Sequence, residues 1–573
     1  MAEIKEIEEW SKYIDDKHTD RIKEQKEDQN FYLDKYTIPI VEDERYLIRT
    51  GYVAGMANGV TQQAIAFAPK VYTLPKKDTA QMQKSADKIA SKGNEWVKQL
   101  SRQSINPFRE TFKKLGFNGG EAWIYVAHNE DLVMYNGNWR DVFPNRVPIH
   151  FILYDPMIVF HDPAEEIDGI PKRVKVQYMR NVGDIRASYP FWKGKTNYAP
   201  HKQVMFKYFM DKDTRYAVAD DEPLFRNLKG ELANGDGRLS NPYGFVPFSH
   251  KYSGYGIDTE KKDPALLAFS RTRMIREKII EDSSMATDFR YNMHEFAWKV
   301  KTIFWPMDVP KPDDFMENYR NRVNVVNVLE LPPGAKMEVE ETQAFGAEAY
   351  AYRDRVRADL NAEYPLGMKG QASGTSGRQE DILANAGMAM YDSPIEANSL
   401  LWAEAIDMAF KVCAIEKLDL LPEGISKVDC NSYSELTVDI TKEDPQDMSR
   451  RQAEGDRRFQ MGIIDMEELY INYMKKTKEE AQKLKARVWI EQAMRTDPAF
   501  QQLIIQTAAQ EMGQEERLNQ IKQMIEGGAQ SMNPVPQTGS KGGKPRIGNI
   551  QTERGTEMAD QATRHETRRP PIG

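Results

Sequence analysis

The chain has 573 residues, 40% of them hydrophobic and 29% charged, with a formal net charge of -8. That length supports a large core and more than one domain, and the acidic balance argues against a general nucleic-acid coat, which would be strongly basic. Two cysteines, Cys413 and Cys430, cannot staple a chain of this size, so reduced thiols and a cytosolic folding compartment are expected.

The opening "MAEIKEIEEWSKYIDD" is charged and amphipathic, unlike a signal peptide. Residues 3–33 read as helix, with Ile4, Ile7, Trp10 and Ile14 at spacings of three or four. "GYVAGMANGVTQQAIAFAPKVYTLP" carries little charge and is punctuated by glycine, which suits packing against other elements. A helical run covers about 78–104, with Trp96 and Leu100 on one face. A further helix starts near Pro107 and stops at Gly119 and Gly120.

The texture then changes. "EAWIYVAHNEDLVMY", "VPIHFILYDPMIVF", "PKRVKVQYMR" and "KQVMFKYFM" are short, aromatic or β-branched, and separated by turn signals such as Asn136-Gly137. Residues 120–250 therefore read as an α+β region. Helix returns at about 262–282, with Pro264 in its first turn. "VNVVNVLELPPGAKMEVE" reads as strand, tight turn and strand, and another helix runs from about Gly346 to Glu363. A helical segment from Glu380 to about Lys417 would span about 55 Å if straight, and Pro394 should kink or interrupt it. "LTVDI" at 436–440 reads as a returning strand. Residues 444–528 read as helical, and the tail is too poor in large apolar residues to fold. No stretch has the length and apolarity of a membrane span.

Motifs for common chemistry are absent. "LGMKGQASGTSGRQ" (366–379) is a glycine-rich, cationic loop, but Gly377 is followed by Arg378 and Gln379 rather than Lys and a hydroxyl, and helix rather than strand precedes it. It fails as a phosphate loop. No two of the eight histidines stand at i and i+4, and "MHEFAW" lacks the second histidine of a zincin helix. Cys413 and Cys430 have no metal-ligand spacing, so a four-ligand zinc site would need distant partners. His161-Asp162 reads as a polar turn after a strand rather than as a base and its orienting partner.

The order of elements, together with several phrases, resembles the portal proteins of tailed bacteriophages across residues 30 to 530. "HFILYDPMIVFHDP" is similar to the strand, Asp-Pro turn and strand of the portal wing. "NPYGFVPFSH" resembles the segment ahead of the stem, "LPPGAKMEVE" the exit from the clip, and "SGTSGRQEDILANAGM" the tunnel loop leading into the tunnel helix. "DMSRRQAEGDRRFQMGIIDMEEL" resembles the start of the crown, where a Gly-Ile-Ile-Asp turn separates two helices.

The resemblance implies an α+β subunit with wing, helical stem, small α/β clip, long kinked tunnel helix and mostly helical crown, assembled into a ring, typically a dodecamer. The wing would be residues 1–257 and 418–442, and the stem 258–282 and 343–363. The clip would be 283–342, the tunnel loop 364–380, the tunnel helix 381–417, the crown 443–530 and a disordered tail 531–573. Such a ring sits at one capsid vertex of the virion and is assembled in the host cytoplasm. It conducts double-stranded DNA during packaging and ejection. Its partners would be the terminase large subunit, then a head-completion or tail adaptor, with major capsid protein and scaffolding protein around it. The resemblance implies no membrane, cofactor, metal or catalysis.

Candidate residues follow from that assignment. Lys369, Gly370, Gly374, Thr375, Ser376, Gly377 and Arg378 would form the tunnel loop, the two cations becoming rings of charge at the constriction. Arg271, Arg273, Arg276, Lys278, Arg353 and Arg357 would supply stem charges facing solvent or channel, and Leu266, Leu267, Met274 and Ile275 would pack between neighbours. Phe304, Trp305, Phe315 and Tyr319 would offer a docking surface on the clip. Leu400, Leu401, Trp402 and Phe410 would pack the tunnel helix into a core or subunit contact. Sparse cationic rings in an acidic channel suit cargo that carries one charge per about 1.7 Å and must not be gripped. Three other classes are weighed against this one. They are another oligomeric head–tail connector or capsid-associated protein, a helix-rich nucleic-acid enzyme whose groups converge from distant segments, and a monomeric scaffold with a terminal coiled coil. Broken apolar heptads across 444–528 argue against the last.

Overall fold

The structure, a computed structural model, describes residues 3–38, 47–65, 67–128, 149–166, 169–192, 194, 198–227, 229–297, 301–310, 333–339, 345–363, 387–415, 418, 420–440, 445–474 and 481–488. The chain divides into two compact units, Met1–Ala481 and Gln482–Gly573. In the second, residues 482–488 are described and are helical. The first is a mixed α/β unit with many helices and open sheets.

The N-terminal 30 residues form two helices rather than one, α1 (Ile4–Lys17) and α2 (Thr19–Tyr32), separated at His18. Ile7, Trp10 and Ile14 of α1 are buried, as their spacing predicts. Helix α3 (Tyr52–Ala64) leads to strand β1 (Lys70–Pro75), then α4 (Ala80–Ser101) and α5 (Pro107–Gly116). The side chain of Asn106 caps α5, and Pro107 occupies its first turn, where a missing N–H costs nothing.

Strand β2 (Glu121–His128) pairs with β3 (Ile149–Tyr154). Next come β4 (Val159–Phe160), β5 (Arg173–Asn181), a short helix α6 (Val182–Ser188), β6 (Gln203–Asp211), β7 (Thr214–Ala219), β8 (Glu222–Pro223), β9 (Arg238–Ser240) and β10 (Phe248–Tyr252). One sheet has the order β10-β2-β3 and a second runs β4-β5-β6-β7-β8, with β9 also on β7. In the first, Trp123 faces His250 across one pair and Tyr154 across the other. The α+β reading of 120–250 therefore holds for its described part.

A single turn of helix, α7 (Pro264–Leu267), ends at Ala268, and a long helix, α8 (Arg271–Ala297), starts three residues later. The reading of one helix over 262–282 is corrected at both ends. Ser270 Oγ accepts the N–H of Arg273 and so caps a new start, and the helix continues fifteen residues past 282. Strands β11 (Lys301–Phe304) and β12 (Lys336–Val339) form an antiparallel ribbon. The strand that precedes the Pro-Pro-Gly turn in the sequence reading lies outside the described residues. The partner that is described for "KMEV" is "KTIF".

Helix α9 (Ala347–Ala362) returns antiparallel to α8. Arg271 pairs with Glu363, Asp282 with Arg357, and Phe289 stacks on Tyr350, so the numbering rises on one helix as it falls on the other. A 3-10 turn (Ala389–Tyr391) precedes α10 (Asp392–Cys413). Pro394 thus marks an interruption, as expected, and lies in the first turn of the new helix. Helix α10 packs on α5, β2, β10 and the later strand β13. Trp402 and Phe410 are fully buried, Trp402 tilted against Phe108 and Phe410 stacked on Trp96, at 4.3 and 4.5 Å between ring centres. A short helix α11 (Lys427–Cys430) precedes β13 (Tyr433–Asp439), which pairs with β1. Both cysteines are free and buried. Next come α12 (Pro445–Gln460) and a turn of helix (Met466–Glu468) that runs on into a π-turn (Leu469–Tyr473), separated by the expected Gly-Ile-Ile-Asp turn in which Gly462 has φ 71° and Asp465 caps the second piece. Among the described residues no helix is long and apolar enough to cross a membrane.

Candidate functional site

Most of the buried side of α2 is polar, with Phe31 the apolar exception. Arg21, Gln25 and Asp28 are spaced by four and three residues, so they share one face, and all three are buried. Arg21 and Gln25 meet at Glu121, and Asp28 engages a different part of the fold. Arg21 pairs with Glu121 on β2 and donates to the carbonyls of Pro156 and Val159 at 3.0 and 2.8 Å. Gln25 donates to Gly119 O and to Glu121 Oε1 at 3.1 and 2.7 Å. Asp28 accepts from Ser270 at 2.8 Å and from Arg276 of α8 at 2.6 and 3.1 Å.

Glu121 is the point where this seam meets a histidine cluster. Its other oxygen accepts His250 Nε2 at 2.9 Å. His250 Nδ1 donates to Glu166 at 3.1 Å, and the same oxygen of Glu166 lies 2.8 Å from His161 Nε2. The Tyr252 hydroxyl is 3.2 Å from that nitrogen. Backbone position explains the convergence. His161 directly follows β4, Glu166 follows the turn at 163–165, and His250 lies mid-strand in β10. Trp123, directly across from His250, stacks on it at 3.9 Å between ring centres. His18, at the break between α1 and α2, donates Nε2 to the carbonyl of His161 at 2.6 Å. The three imidazoles are buried, and Glu166 is half-buried.

Burial alone would push the Glu121 carboxyl up, but Arg21 and then His250 overcome it and hold the group well below the usual carboxylate range. Glu166 is depressed in the same way, with the bonds from His161 and His250 overcoming burial. For His250 burial acts downward, and the bonds to Glu121 and Glu166 outweigh it, so its pKa is raised. Burial lowers His161, and burial with the charge of Arg21 lowers His18 strongly. The arrangement is a guanidinium and an imidazolium alternating with two carboxylates, flanked by two neutral imidazoles. His161 Nε2, Glu166 Oε1 and His250 Nδ1 lie within 4.8 Å of one another, a set that could ligate a metal ion.

The sequence reading of His161-Asp162 as a polar turn holds for Asp162 alone. Its carboxylate caps the N–H of Ala164 at 3.0 Å and pairs with Lys17 at 2.6 Å. His161 turns inward to the cluster. Its partner Glu166 is near in sequence, but His250 lies 84 residues beyond Glu166, so no local spacing announces the cluster.

Of the stem charges, Arg357 is exposed, whereas Arg276 is placed differently from expectation. Arg276 is 9% exposed. Besides Asp28 it holds Glu24 and Glu27 at 2.7 and 2.6 Å, so it faces neither solvent nor a channel. Arg273 lies 3.3 Å from Glu24. Arg271 is engaged by Glu363, and Arg353 and Arg357 converge on Asp282 at 3.6 and 3.1 Å. Lys278 is half-buried, and Leu266 and Met274 are exposed whereas Ile275 is buried. Leu401, Trp402 and Phe410 are in the core, but Leu400 is 49% exposed. Successive residues on a helix point about 100° apart, so burying Leu401 turns Leu400 outward. Phe304 is exposed at the end of β11, and Trp305 Nε1 donates to Val309 O at 2.9 Å. Phe315 and Tyr319 lie outside the described residues, as does the whole tunnel-loop set Lys369, Gly370, Gly374, Thr375, Ser376, Gly377 and Arg378.

No protein-family profile and no curated protein sequence matches this chain.

Proposed function

We propose that the chain is the subunit of a phage portal ring, a structural DNA conduit at one capsid vertex that docks the packaging terminase and later the tail connector. The observation that carries this reading is the antiparallel pair α8 and α9 with the ribbon β11–β12 between them in sequence. It is followed by a buried helix, α10, and a strand, β13, that returns to β1. That succession suits a stem crowned by a clip and rooted in a wing. The 27 residues of α8 span about 40 Å at 1.5 Å per residue.

The surface of the pair supports the same reading. Met274, Tyr291, Met293, Tyr350 and Tyr352 are all exposed along it. A pair of helices in water leaves such side chains uncovered, whereas in a closed ring each pair is flanked by its neighbours'. Leu400 on α10 offers a further apolar contact. Most stem arginines are engaged in ion pairs within the subunit, so the lumen would be only weakly cationic, as a channel for moving DNA requires.

The test is native mass spectrometry of the full-length chain with averaged electron images of the main species. Twelve copies of a 65.9 kDa chain give about 791 kDa for a dodecameric ring. A species near that mass with an open central channel is the expected result. A monomer that never closes into a ring across assembly conditions overturns the proposal.

A further inference from the structure

The cluster at the inner end of α2 has a property that a purely structural ion-pair network does not need. Three donors of metal-ligand type, from three separate segments, point at one small volume. His161 Nε2 and His250 Nδ1 both approach the same oxygen of Glu166, at 2.8 and 3.1 Å. In a tetrahedral site with bonds of about 2.0–2.1 Å, neighbouring ligand atoms stand about 3.3–3.4 Å apart. The two distances from Glu166, the one ligand that is not fully buried, lie within about half an ångström of that spacing, and the two imidazole nitrogens, within 4.8 Å of each other, draw together when the ion binds.

We propose that His161 Nε2, His250 Nδ1 and Glu166 Oε1 form a three-ligand site for a divalent transition ion of borderline softness, with zinc the best fit to two imidazoles and one carboxylate. The surroundings match what such a site uses. His250 presents its other nitrogen to Glu121 at 2.9 Å, the outer carboxylate that orients a ligating imidazole and raises its basicity. Glu121 is itself fixed by Arg21 and Gln25. Trp123 stacked on His250 sets the ring plane. Among the described residues no lysine or arginine bonds Glu166 or either ligating imidazole, so no fixed cation stands where the ion would sit. The Tyr252 hydroxyl, 3.2 Å from His161 Nε2, or a water completes four-coordination. Binding displaces the proton that His250 Nδ1 donates to Glu166, so one proton leaves for each ion bound. This site is independent of the portal reading.

The full-length chain is stripped with chelator, exposed to zinc chloride, passed through a desalting column and assayed for zinc by elemental mass spectrometry, with a thermal melt alongside. One zinc per chain and a raised melting midpoint are expected. Glu166→Gln, at the accessible side of the site, is expected to weaken zinc binding at least about tenfold, the low end even for loss of an outer-shell partner. A wild-type chain that retains no zinc overturns the proposal, as does retention by E166Q equal to wild type. X-ray absorption at the zinc edge of the loaded wild-type chain needs no variant. Two imidazoles with two oxygens are expected, and sulfur ligands or an all-oxygen shell overturn the assignment.

Discussion

Replacing Arg276 with methionine removes the main counter-charge of a carboxylate that has no access to water. Asp28 is completely buried, and Arg276 supplies two of its bonds while Ser270 supplies a third. Truncating one partner of a buried ion pair costs about 3–5 kcal/mol, because the remaining charge is left uncompensated. Glu24 and Glu27, also held by Arg276, are more exposed and contribute much less. The loss should depend on pH, with a definite sign. Burial raises the Asp28 pKa above its ordinary value, and Arg276 and then Arg273 pull it part of the way back. A carboxyl whose folded pKa is raised loses stability as pH climbs from its unfolded value, about 3.9, to its folded value. Without Arg276 the folded value climbs further. The R276M deficit should therefore be small near pH 4 and grow toward pH 7. Urea unfolding followed by tryptophan fluorescence at both pH values measures it. Pairing Arg276→Met with Asp28→Asn removes both charges and should recover most of the loss. A deficit within about 0.5 kcal/mol at pH 7, the range of an ordinary surface change, would refute the reasoning, as would a deficit that does not shrink in acid.

Trp402→Ala should cost about 3–5 kcal/mol, since it empties a site packed on Phe108 and breaks a 2.9 Å bond to Thr111. Leu400→Ala in the same urea assay should stay within about 0.5 kcal/mol and, on the portal reading, should instead reduce the yield of rings. Gly120→Ala should destabilise by more than about 1 kcal/mol, because φ is +75° and a Cβ would lie 2.5 Å from the backbone of Phe269. Asp429 closes the capping box of α11 by accepting the N–H of Ser426 at 2.9 Å. Burial acts upward on its pKa, but bonds from Ser85 and Ser426 and the charge of Lys88 hold it depressed. Asp429→Ala should cost about 1 kcal/mol at pH 7, and the difference from wild type should vanish as pH falls through that depressed value.

Helix α1 was legible because its buried residues are apolar at helical spacing. The inward face of α2 was not, since Arg21, Gln25 and Asp28 carry the contacts and periodicity methods read such residues as solvent-facing. The break between α7 and α8 was available in principle, in Ser270 standing ahead of "RTRM" as a cap, but no glycine or proline marks it. Strand β13 was legible from its β-branched run, whereas its partner β1 lies about 360 residues away and nothing local names it. The histidine cluster belongs to the same class. His161, Glu166 and His250 meet only after β2, β4 and β10 are assembled, and each alone looks like an ordinary strand or turn residue.

The polar face of α2 has a mechanical consequence. An apolar seam can slide by repacking, because its contacts are non-directional. A seam of buried ion pairs cannot, since each intermediate position leaves a charge without its partner. Over seven residues, about 10 Å of helix, α2 fixes Glu121 of the β10-β2-β3 sheet at one end and Arg276 of α8 at the other. The base of the α8–α9 pair is thereby held to the sheet by discrete bonds. On the portal reading, thrust along the pair during DNA movement reaches the sheet through this seam, and motion is confined to segments beyond it. A variant that replaces Arg21, Gln25 and Asp28 with well-packed apolar residues, with Glu121 and Arg276 matched to them, would then be a sharper test than any channel-facing charge. Such a protein is expected to fold and form rings but to package DNA poorly, and normal packaging by it would remove the mechanical role assigned to α2.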